Sequence, residues 1–385
     1  MYRLNDDQQR IVADAATAAD NVLAKQAAQV DRDAAFPEQS LAALGERGLL
    51  GLTIAKEFGG LGQGLRTMAA VLDTVAQRCP STAMVYLMHL CGTACYAIAP
   101  QVTASLLRDA AAGRHLSTLA FSETGSRSHF WAPVSRATND GDGSVRLNAS
   151  KSFVTSAGHA DGYVISTLAA DATNGLESTL YLVLKNDGGV AVTGAWKGLG
   201  MRGNASAPMV LDNVVVTTQR MLTPPGKGLD TMLGVVLPAF QVGSAAVAVG
   251  IAEAAVQATI AHVTQARLEH MNSAIAAAFP TVRAQVARMR IETDRARAHL
   301  GAVLDSIESP GPATQLMVLE AKTAATEAAV TVTDMAMRAC GGAAFGGAYG
   351  IERLFRDARA PIVMAPTSDQ ANEFIGRALC GMEVF

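Results

Sequence analysis

The stretch ASKSFVTSAGHADGYVI, residues 149–165, lies near the centre of the chain and contains two short runs rich in β-branched and aromatic residues. The runs SFVTSA and GYVIST are separated by glycine and aspartate, a pattern typical of strands joined by a turn. Side chains alternate between the two faces of a regular strand, so Phe153 and Thr155 are predicted to share one face. The stretch therefore predicts a β domain in the middle of the chain.

Similar runs extend this region from about residue 117 to residue 222; they are SVRLNA, STLYLVL, GVAVTG and PMVLDNVVVT. Apolar residues recur at three- and four-residue spacing on both sides of it, as in QQRIVADAATAADNVLAKQAAQV, which predicts helices. The predicted fold class is α+β. We expect an N-terminal helical domain at 1–116, a middle β domain at 117–224 and a C-terminal helical bundle at 225–385.

Composition narrows the classes of function. The 385 residues carry a net charge of −3 and a pI near 6.2, so there is no basic footprint for nucleic acid. The start MYRLNDDQQR lacks a charged-then-apolar leader, which predicts a cytoplasmic protein. Two nearly uncharged stretches, 81–100 and 234–252, are too weakly apolar for membrane spans, and we predict that both are buried helices.

The cysteines predict reduced thiols and no metal site. They are an odd number in a long chain: Cys79, Cys91, Cys95, Cys340 and Cys380. The segment HLCGTAC, 89–95, is the nearest approach to a metal cluster, but on a helix His89 points away from the face shared by the two cysteines. Core packing is the favoured interpretation of this segment.

The segment GLGMRG, residues 198–203, matches the dinucleotide-binding pattern G-x-G-x-x-G as a string. That pattern functions only when a helix follows it, because the helix N-terminus holds the pyrophosphate. Here a strand-like APMVLDNVVV follows. We therefore predict a turn between strands and no nicotinamide site.

Five segments, in order, carry a resemblance to a known family; they are FSETGSRSH (121–129), ASKSFVTSAGHADGYVI (149–165), KGLGMRGNASAPMVLDNVVV (197–216), GKGLDTMLGVVLPAFQVGSAAVAVGIAEAA (226–255) and CGGAAFGGAYGIERLFRDAR (340–359). Together they resemble the acyl-CoA dehydrogenase superfamily of flavoproteins over nearly the whole chain. The resemblance implies an N-terminal helical domain, a β-barrel-like middle domain and a C-terminal four-helix bundle. It also implies FAD as cofactor and a homodimer or homotetramer.

The resemblance assigns flavin contacts in the β domain. It places Phe153 against the isoalloxazine and Thr155 in hydrogen-bonding reach of the reactive nitrogen, with Ser122 keeping a family hydroxyl. The other predicted contacts of this group are Phe121, Ser128 and Ser156. Without the resemblance, a sheet face packed on its neighbour would explain these residues.

A second group of predicted cofactor contacts falls in the bundle. Arg267 matches the family arginine that reaches the FAD of a neighbouring subunit. Arg338 replaces a family glutamine before Gly341 and Gly342, and its guanidinium could pair with phosphate. Solvated surface arginines are the alternative interpretation. Thr367 and Asp369 complete the predicted cofactor set.

The segment IVMAPTSDQ, 362–370, has the capping-box spacing of a helix start in Thr367 and Gln370. In the family, this loop carries the glutamate that removes the α-proton of an acyl thioester, and here that position is Ala365. A second family position for the base aligns with Phe240, followed by Gln241. The resemblance thus implies an active-site rim that lacks its usual proton acceptor.

The catalytic base therefore stays unknown, with Asp369, Glu373 and His129 as candidates for a relocated one. The predicted substrate contacts are Ser128, His129, Phe240, Gln241 and Ala365. Each of these assignments comes from the resemblance.

Three functions remain open. The first is an FAD-dependent oxidoreductase of an acyl thioester, bound to CoA or a carrier protein, with non-standard base chemistry and an electron-transfer partner. The second is an O2-using monooxygenase of the same fold, which needs no α-proton base and prefers a dry pocket. The apolar pocket edge favours it, and we assign to that edge Phe130, Trp131, Phe240, Met364, Ala365 and Pro366. The third is a non-catalytic flavoprotein. Nucleic-acid and membrane partners are not expected.

Overall fold

The chain begins with a helical unit. The computed structural model describes residues 2–127 and 129–384. The N-terminal helices are α1 (Asp6–Ala18), α2 (Ala24–Arg32), α3 (Glu38–Gly45), α4 (Leu65–Ala76), α5 (Pro80–Tyr96) and α6 (Pro100–Ala111). A reciprocal capping box between Asn5 and Gln8 starts α1, and a π-helical turn at Ala19–Leu23 joins α1 to α2. Proline begins both α5 and α6, where its missing N–H costs no hydrogen bond.

Among the described residues, the strands of the middle region are β1 (Ser117–Ala120), β2 (Thr138–Asn139), β3 (Ser144–Val154), β4 (Gly162–Leu168), β5 (Ser178–Leu184), β6 (Val190–Val192) and β7 (Ala207–Thr217). One sheet has the order β1-β4-β5, with β1 and β4 parallel, and the other is antiparallel in the order β2-β3-β7-β6. The runs SVRLNA and SFVTSA, predicted as separate strands, are one strand, β3, with register shifts against β7. The GLGMRG segment lies between β6 and β7, as the sequence predicts.

Helices return after β7. They are α7 (Gly228–Thr231), α8 (Leu237–Gln265), α9 (Ile275–Ala278), α10 (Pro280–Glu308), α11 (Thr314–Cys340), α12 (Gly342–Phe345), α13 (Ile351–Asp357), α14 (Ala360–Val363) and α15 (Ser368–Leu379). A small hairpin of β8 (Arg267–Leu268) and β9 (Ser273–Ala274) interrupts them. Long helices α8, α10 and α11 pack together, with α15 against α11. The predicted domain boundaries at 116/117 and 224/225 fall in the loops before β1 and before α7.

The sheet β1-β4-β5 is buried on both faces, so its strands read as nearly continuous apolar runs. Alternate residues of β4 belong to different cores: Val164 packs with the helices, and Tyr163 packs with the second sheet. Strand β5 divides in the same way between Leu182 and Val183. The N-terminal and C-terminal helices share one core, and the β domain encloses its own.

The two uncharged stretches are interior helices, as the sequence predicts. Helix α5 is buried over almost its whole length. The prediction that 234–252 is too weakly apolar to span a membrane is wrong, because the segment Gly228–Gln265 is long and apolar enough to do so; 78% of its most apolar window is nevertheless buried inside the protein. Its apolar surface is therefore covered by α4, α10 and α11.

His89 on α5 is a packing residue, in agreement with the favoured interpretation of HLCGTAC. Its ring is fully buried, with Nε2 2.9 Å from the Leu50 carbonyl oxygen and Nδ1 accepting from the Ser117 N–H at 3.1 Å. Burial lowers the pKa of His89 to about 4. Both ring nitrogens thus join the helical unit to β1 and are engaged within the chain.

A buried ion pair fixes the loop that follows β1. The Lys151 Nζ donates to Glu123 Oε1 at 2.6 Å, and both side chains are almost completely buried. Glu123 also accepts from the N–H groups of Val134 and Ser135, at 2.6 and 2.7 Å, and Lys151 donates to the Ser166 carbonyl on β4. Burial alone would raise the pKa of Glu123, but the Lys151 charge and these hydrogen bonds lower it. The pair therefore ties residues 121–135 to strands β3 and β4.

Replacement of Lys151 by Met should destabilise the β domain by about 3–5 kcal/mol, because it leaves the Glu123 carboxylate buried without a counter-charge. Urea unfolding followed by tryptophan fluorescence measures this, since Trp131 and Trp196, the two tryptophans of the chain, both lie in the middle region. The double variant Glu123→Gln/Lys151→Met should recover a large part of the loss. If the unfolding free energy of Lys151→Met lies within about 1 kcal/mol of the wild-type value, the pair contributes little to stability.

Candidate functional site

Strand β3 ends in a distorted backbone at Phe153. Its φ is +55°, in the left-handed region that bulky residues rarely adopt, and its side chain is 69% exposed. The prediction that Phe153 and Thr155 share a strand face is wrong, because the register shift between Lys151 and Val154 breaks the alternation. Thr155 lies beyond the strand and is buried. An exposed phenyl ring held in a costly conformation is suited to covering a planar ligand.

Two buried hydroxyl groups follow Phe153. The Thr155 Oγ1 lies 2.9 Å from the Ser206 hydroxyl, and its carbonyl accepts from the Thr118 hydroxyl at 2.8 Å. Ser156 also has positive φ, and its fully buried Oγ has no hydrogen-bond partner among the described residues. A buried hydroxyl without a partner is costly unless a ligand or water satisfies it. The Thr155 hydroxyl therefore fits the polar edge of a flavin, with Phe153 as its cover. The Ser156 Oγ lies wholly beneath the protein surface, and its predicted cofactor contact stays a prediction.

The turn before β7 supports this strand end. Carbonyl groups of Asn204 and Ala205 accept from the N–H groups of Ser156 and Ala157, at 2.9 and 3.1 Å. The C-terminal bundle stabilises this turn, because the Asp357 carboxylate on α13 accepts from the Met201 N–H at 2.5 Å. Backbone hydrogen bonds thus lead from α13 to the predicted flavin edge.

Asp357 was not among the predicted site residues. Its contact with Met201 spans 156 residues, so no local pattern in the sequence indicates it. The side chain is almost fully buried, and burial raises its pKa to about 6, opposed by the Met201 N–H and by Arg353. A signal was present in Gly200, since a Cβ there would lie 2.4 Å from the Arg356 carbonyl oxygen, so only glycine permits this approach.

The loop after β1 brings an aromatic cluster to the site. Phe121 and Phe130 stack with ring centroids 6.4 Å apart, and Trp131 contacts Phe130 edge-on at 5.1 Å. Trp131 also lies 5.5 Å from Phe374 of α15. Phe121, Phe130 and Trp131 are buried, and the Trp131–Phe374 contact joins this loop of the β domain to α15.

The polar residues of this loop are placed differently. Ser122 is half-buried, and its carbonyl accepts from the Ser152 N–H at 2.9 Å, beside Phe153. His129 is exposed, with its ring 5.1 Å from that of Trp131. Ser128, predicted to contact both cofactor and substrate, lies outside the described residues.

The rim loop, which we define as residues 364–367, connects α14 to α15. Thr367 is the N-cap of α15 and its hydroxyl accepts from the Gln370 N–H at 3.2 Å, which confirms the predicted helix start. Ala365 is half-buried, and the bond to Pro366 is cis. Asp369 and Glu373 are exposed on α15, with Glu373 3.9 Å from Arg377. Neither carboxylate occupies the position of Ala365.

A buried lysine lies beneath this loop. The Lys322 Nζ on α11 donates to the carbonyl oxygens of Met364 and Pro366, at 2.6 and 2.5 Å. The side chain is fully buried, which lowers the pKa of the amine to about 7. Sequence reasoning missed Lys322; the available signal was a single cation within the alanine-rich run LEAKTAATEAA.

Helix α8 presents a polar group near its start. Phe240 is half-buried and Gln241 is fully buried, and neither Nε2 nor Oε1 of Gln241 has a partner among the described residues. The amide can both donate and accept a hydrogen bond. Its place in the predicted substrate group stays a prediction.

The predicted phosphate contacts bond to residues of their own segments. Arg267 is exposed in the β8–β9 hairpin and donates to the carbonyl and side chain of Asn272, and Arg338 pairs with Asp334 at 2.9 Å. Gly341 ends α11 with φ of +57° and Gly342 follows it. Arg338 lies 16 residues after Lys322 on α11, about 24 Å along the helix.

Three family models match the chain in order. They describe the N-terminal, middle and C-terminal domains of acyl-CoA dehydrogenases and match residues 5–106, 118–214 and 226–380. The chain is 27% identical over 382 residues to a probable acyl-CoA dehydrogenase, YngJ, of Bacillus subtilis (strain 168), which covers 98% of this chain and 99% of that protein.

Two solved structures show the same fold. Butyryl-CoA dehydrogenase from Megasphaera elsdenii has a TM-score of 0.91 at 22% identity, covering 98% of this chain and 99% of that one. FMN-bound TdsC from Paenibacillus sp. A11-2 has a TM-score of 0.86 at 23% identity, covering 97% of each chain.

Replacement of Asp357 by Asn should change the pH dependence of stability. The folded-state pKa of Asp357 is raised from 3.8 to about 6, so the wild type loses stability as pH rises through this window. Asparagine keeps an acceptor for Met201 and has no charge to bury. Relative to the wild type, the variant should therefore gain up to about 3 kcal/mol between pH 4 and pH 8. Urea unfolding of both proteins at pH 4 and at pH 8 measures the gain. If the variant and the wild type differ in unfolding free energy by the same amount at both pH values, this role of Asp357 is contradicted.

Proposed function

The chain belongs to the acyl-CoA dehydrogenase family, and we propose that it is an FAD-dependent oxidoreductase of an acyl thioester that works without the usual carboxylate base. The thioester is bound to CoA or to a carrier protein. The observation that carries the proposal is the end of β3, where the exposed Phe153 ring, held at positive φ, is followed two residues later by the buried hydroxyl of Thr155.

These residues have separate tasks in the proposed reaction. When bound, FAD would accept the hydride that leaves the β-carbon of the substrate. Phe153 would cover one face of the flavin ring, and the hydroxyl of Thr155 would bond to its polar edge. Trp131, which packs on Phe374 and on Phe130, would exclude water from the reacting atoms together with Phe130.

The rim loop supplies no proton acceptor at the family position, because residue 365 is alanine. A positioned general base contributes about 10²–10⁴-fold to a rate, which corresponds to about 3–5 kcal/mol of barrier. The α-proton of a plain acyl thioester would therefore leave slowly from this site. A substrate with a more acidic α-proton, or one oxidised without its removal, fits the site better.

An O2-using monooxygenase is the second candidate. The buried aromatic cluster favours it, since a dry pocket suits oxygen chemistry at a flavin and that chemistry needs no α-proton base. One solved relative in fold, TdsC, was crystallised with FMN and indole, a ligand that is not a thioester. A non-catalytic flavoprotein is the third candidate, and the intact flavin edge argues against it.

Replacement of Ala365 by Glu should give a faster anaerobic bleaching of the flavin by a saturated acyl-CoA, by about 10²–10⁴-fold. The new carboxylate would stand at the family position of the base. The Lys322 ammonium, which bonds to the carbonyls on both sides of residue 365, should favour its ionised form over burial alone. Stopped-flow absorbance of the FAD-loaded protein measures the rate.

The variant Ala365→Gln is the matched control, because it has similar size and no basic oxygen; it should bleach as slowly as the wild type. Fast bleaching of the wild type by a simple acyl-CoA would mean that a base is already present elsewhere. Bleaching that requires a separate reductant would favour the oxygenase, and purification without flavin would favour the non-catalytic alternative.

We further propose that FAD lies between two subunits, in a homodimer or homotetramer. The motivation is the separation of about 24 Å along α11 between Arg338 and the residue beneath the rim loop, together with the exposed position of Arg267. Sedimentation velocity of the FAD-loaded protein at micromolar concentration should give a dimer or tetramer. A monomer that retains FAD would contradict the shared site.

A further inference from the structure

Lys322 lacks a carboxylate partner among the described residues, although its side chain is fully buried. Burying an ammonium is expensive unless its hydrogen bonds are satisfied. Methionine, of similar length, would fill the same space in the α8–α11 core at lower cost. The presence of a lysine at this position is therefore explained by the hydrogen-bond acceptors to which it donates, since it forms no ion pair among the described residues.

The acceptors are the carbonyl oxygens of two residues that bracket Ala365. Met364 and Pro366 both direct their carbonyls at the same Nζ, at 2.6 and 2.5 Å. Neither oxygen has another donor among the described residues. Without Lys322, two carbonyl groups at the rim would lose their hydrogen bonds at once.

The same face of α11 holds the segments on both sides of the loop. Thr326, one turn after Lys322, lies 3.4 Å from the Ser368 hydroxyl at the start of α15. Thr333 accepts from Arg359, just before α14, at 2.8 Å. Positions 322, 326 and 333 share one helical face, so α11 contacts the rim before, within and after residue 365.

We propose that Lys322 is the positioning residue of the rim loop, whose ammonium fixes the backbone at residue 365 beside the substrate. Through the bonds to Met364 and Pro366, one side chain sets the place of the residue where the family keeps its base. The loop keeps a fixed shape even though Ala365 carries no functional group. The relevance to substrate rests on the proposed function, whereas the holding of the loop does not.

The test compares Lys322→Met with Lys322→Arg and the control Thr323→Val in FAD-loaded protein. The Met variant keeps length and removes the charge, and the Arg variant keeps a cation with several donors. Thr323 is buried on the same helix, and its hydroxyl has no partner among the described residues. Hydrogen exchange read by mass spectrometry reports the loop through peptides covering 360–371.

We expect residues 360–371 to exchange at least tenfold faster in Lys322→Met, with the rest of α11 and α10 protected as in the wild type. Lys322→Arg should recover part of the protection, and Thr323→Val should be unchanged. Wild-type exchange of 360–371 in a folded Lys322→Met would overturn the proposal. So would an equal loss of protection throughout α11, which is the mark of a general packing role.

If Lys322→Met does not fold, a measurement on the wild-type protein tests whether Lys322 positions the rim loop. The amine loses its charge as pH rises through about 7, so exchange of 360–371, corrected for the intrinsic rate and compared with α10, should accelerate between pH 6 and pH 9. The charged side chains close to Lys322 along α11 and at the start of α15 are Glu320, 3.9 Å from His299, and the exposed Glu327 and Asp369. If the corrected exchange rate of 360–371 relative to that of α10 stays constant from pH 6 to pH 9, the proposal is overturned.

These exchange readouts do not involve turnover. A protein that fails to oxidise any thioester but shows the expected exchange pattern would contradict the proposed function and leave the role of Lys322 in the loop intact. The opposite result, thioester oxidation with a rim insensitive to Lys322, would contradict only the positioning role.

Discussion

The buried pair of Glu123 and Lys151 is the interaction on which the site depends. Its two charges, 2.6 Å apart, are removed from water and satisfied by further backbone groups of the loop and of β4. This pairing fixes where the loop after β1 leaves the sheet, and the loop carries the aromatic residues that meet α15. Buried charges tolerate little displacement, because each lost bond leaves an uncompensated group. The position of the aromatic residues in this loop is therefore fixed by the ion pair.

Two further buried ionisable groups act on backbone and not on side chains. Asp357 accepts from an N–H of the turn before β7, and Lys322 donates to two carbonyls of the rim loop. Both lie in the bundle, and both contact segments that connect the regular helices and strands. The bundle thus provides rigid charges, and the loops at the site take their shape from them.

The sequence predicts the fold where the information is local, and its assignments of flavin and substrate contacts stay predictions. The order of helices and strands, the turn at GLGMRG, the interior helices and the N-cap Thr367 all follow from short patterns and are confirmed. The left-handed backbone of Phe153 was not predictable, because a register shift against β7 overrides the alternation. Asp357 and Lys322 were missed because their partners are 156 and 42–44 residues away, and no local pattern encodes such pairs.

The double burial of the sheet β1-β4-β5 has a consequence for how the chain can be divided. Residues Val164, Leu180 and Leu182 on one face belong to the helical core, whereas Tyr163, Tyr181 and Val183 on the other belong to the β core. A fragment cut at the domain boundaries would leave the first face open to water, as an apolar surface prone to self-association. The three regions are therefore distinct in sequence but fold as one cooperative unit. One face of the β domain is buried only when the helices of the same chain cover it.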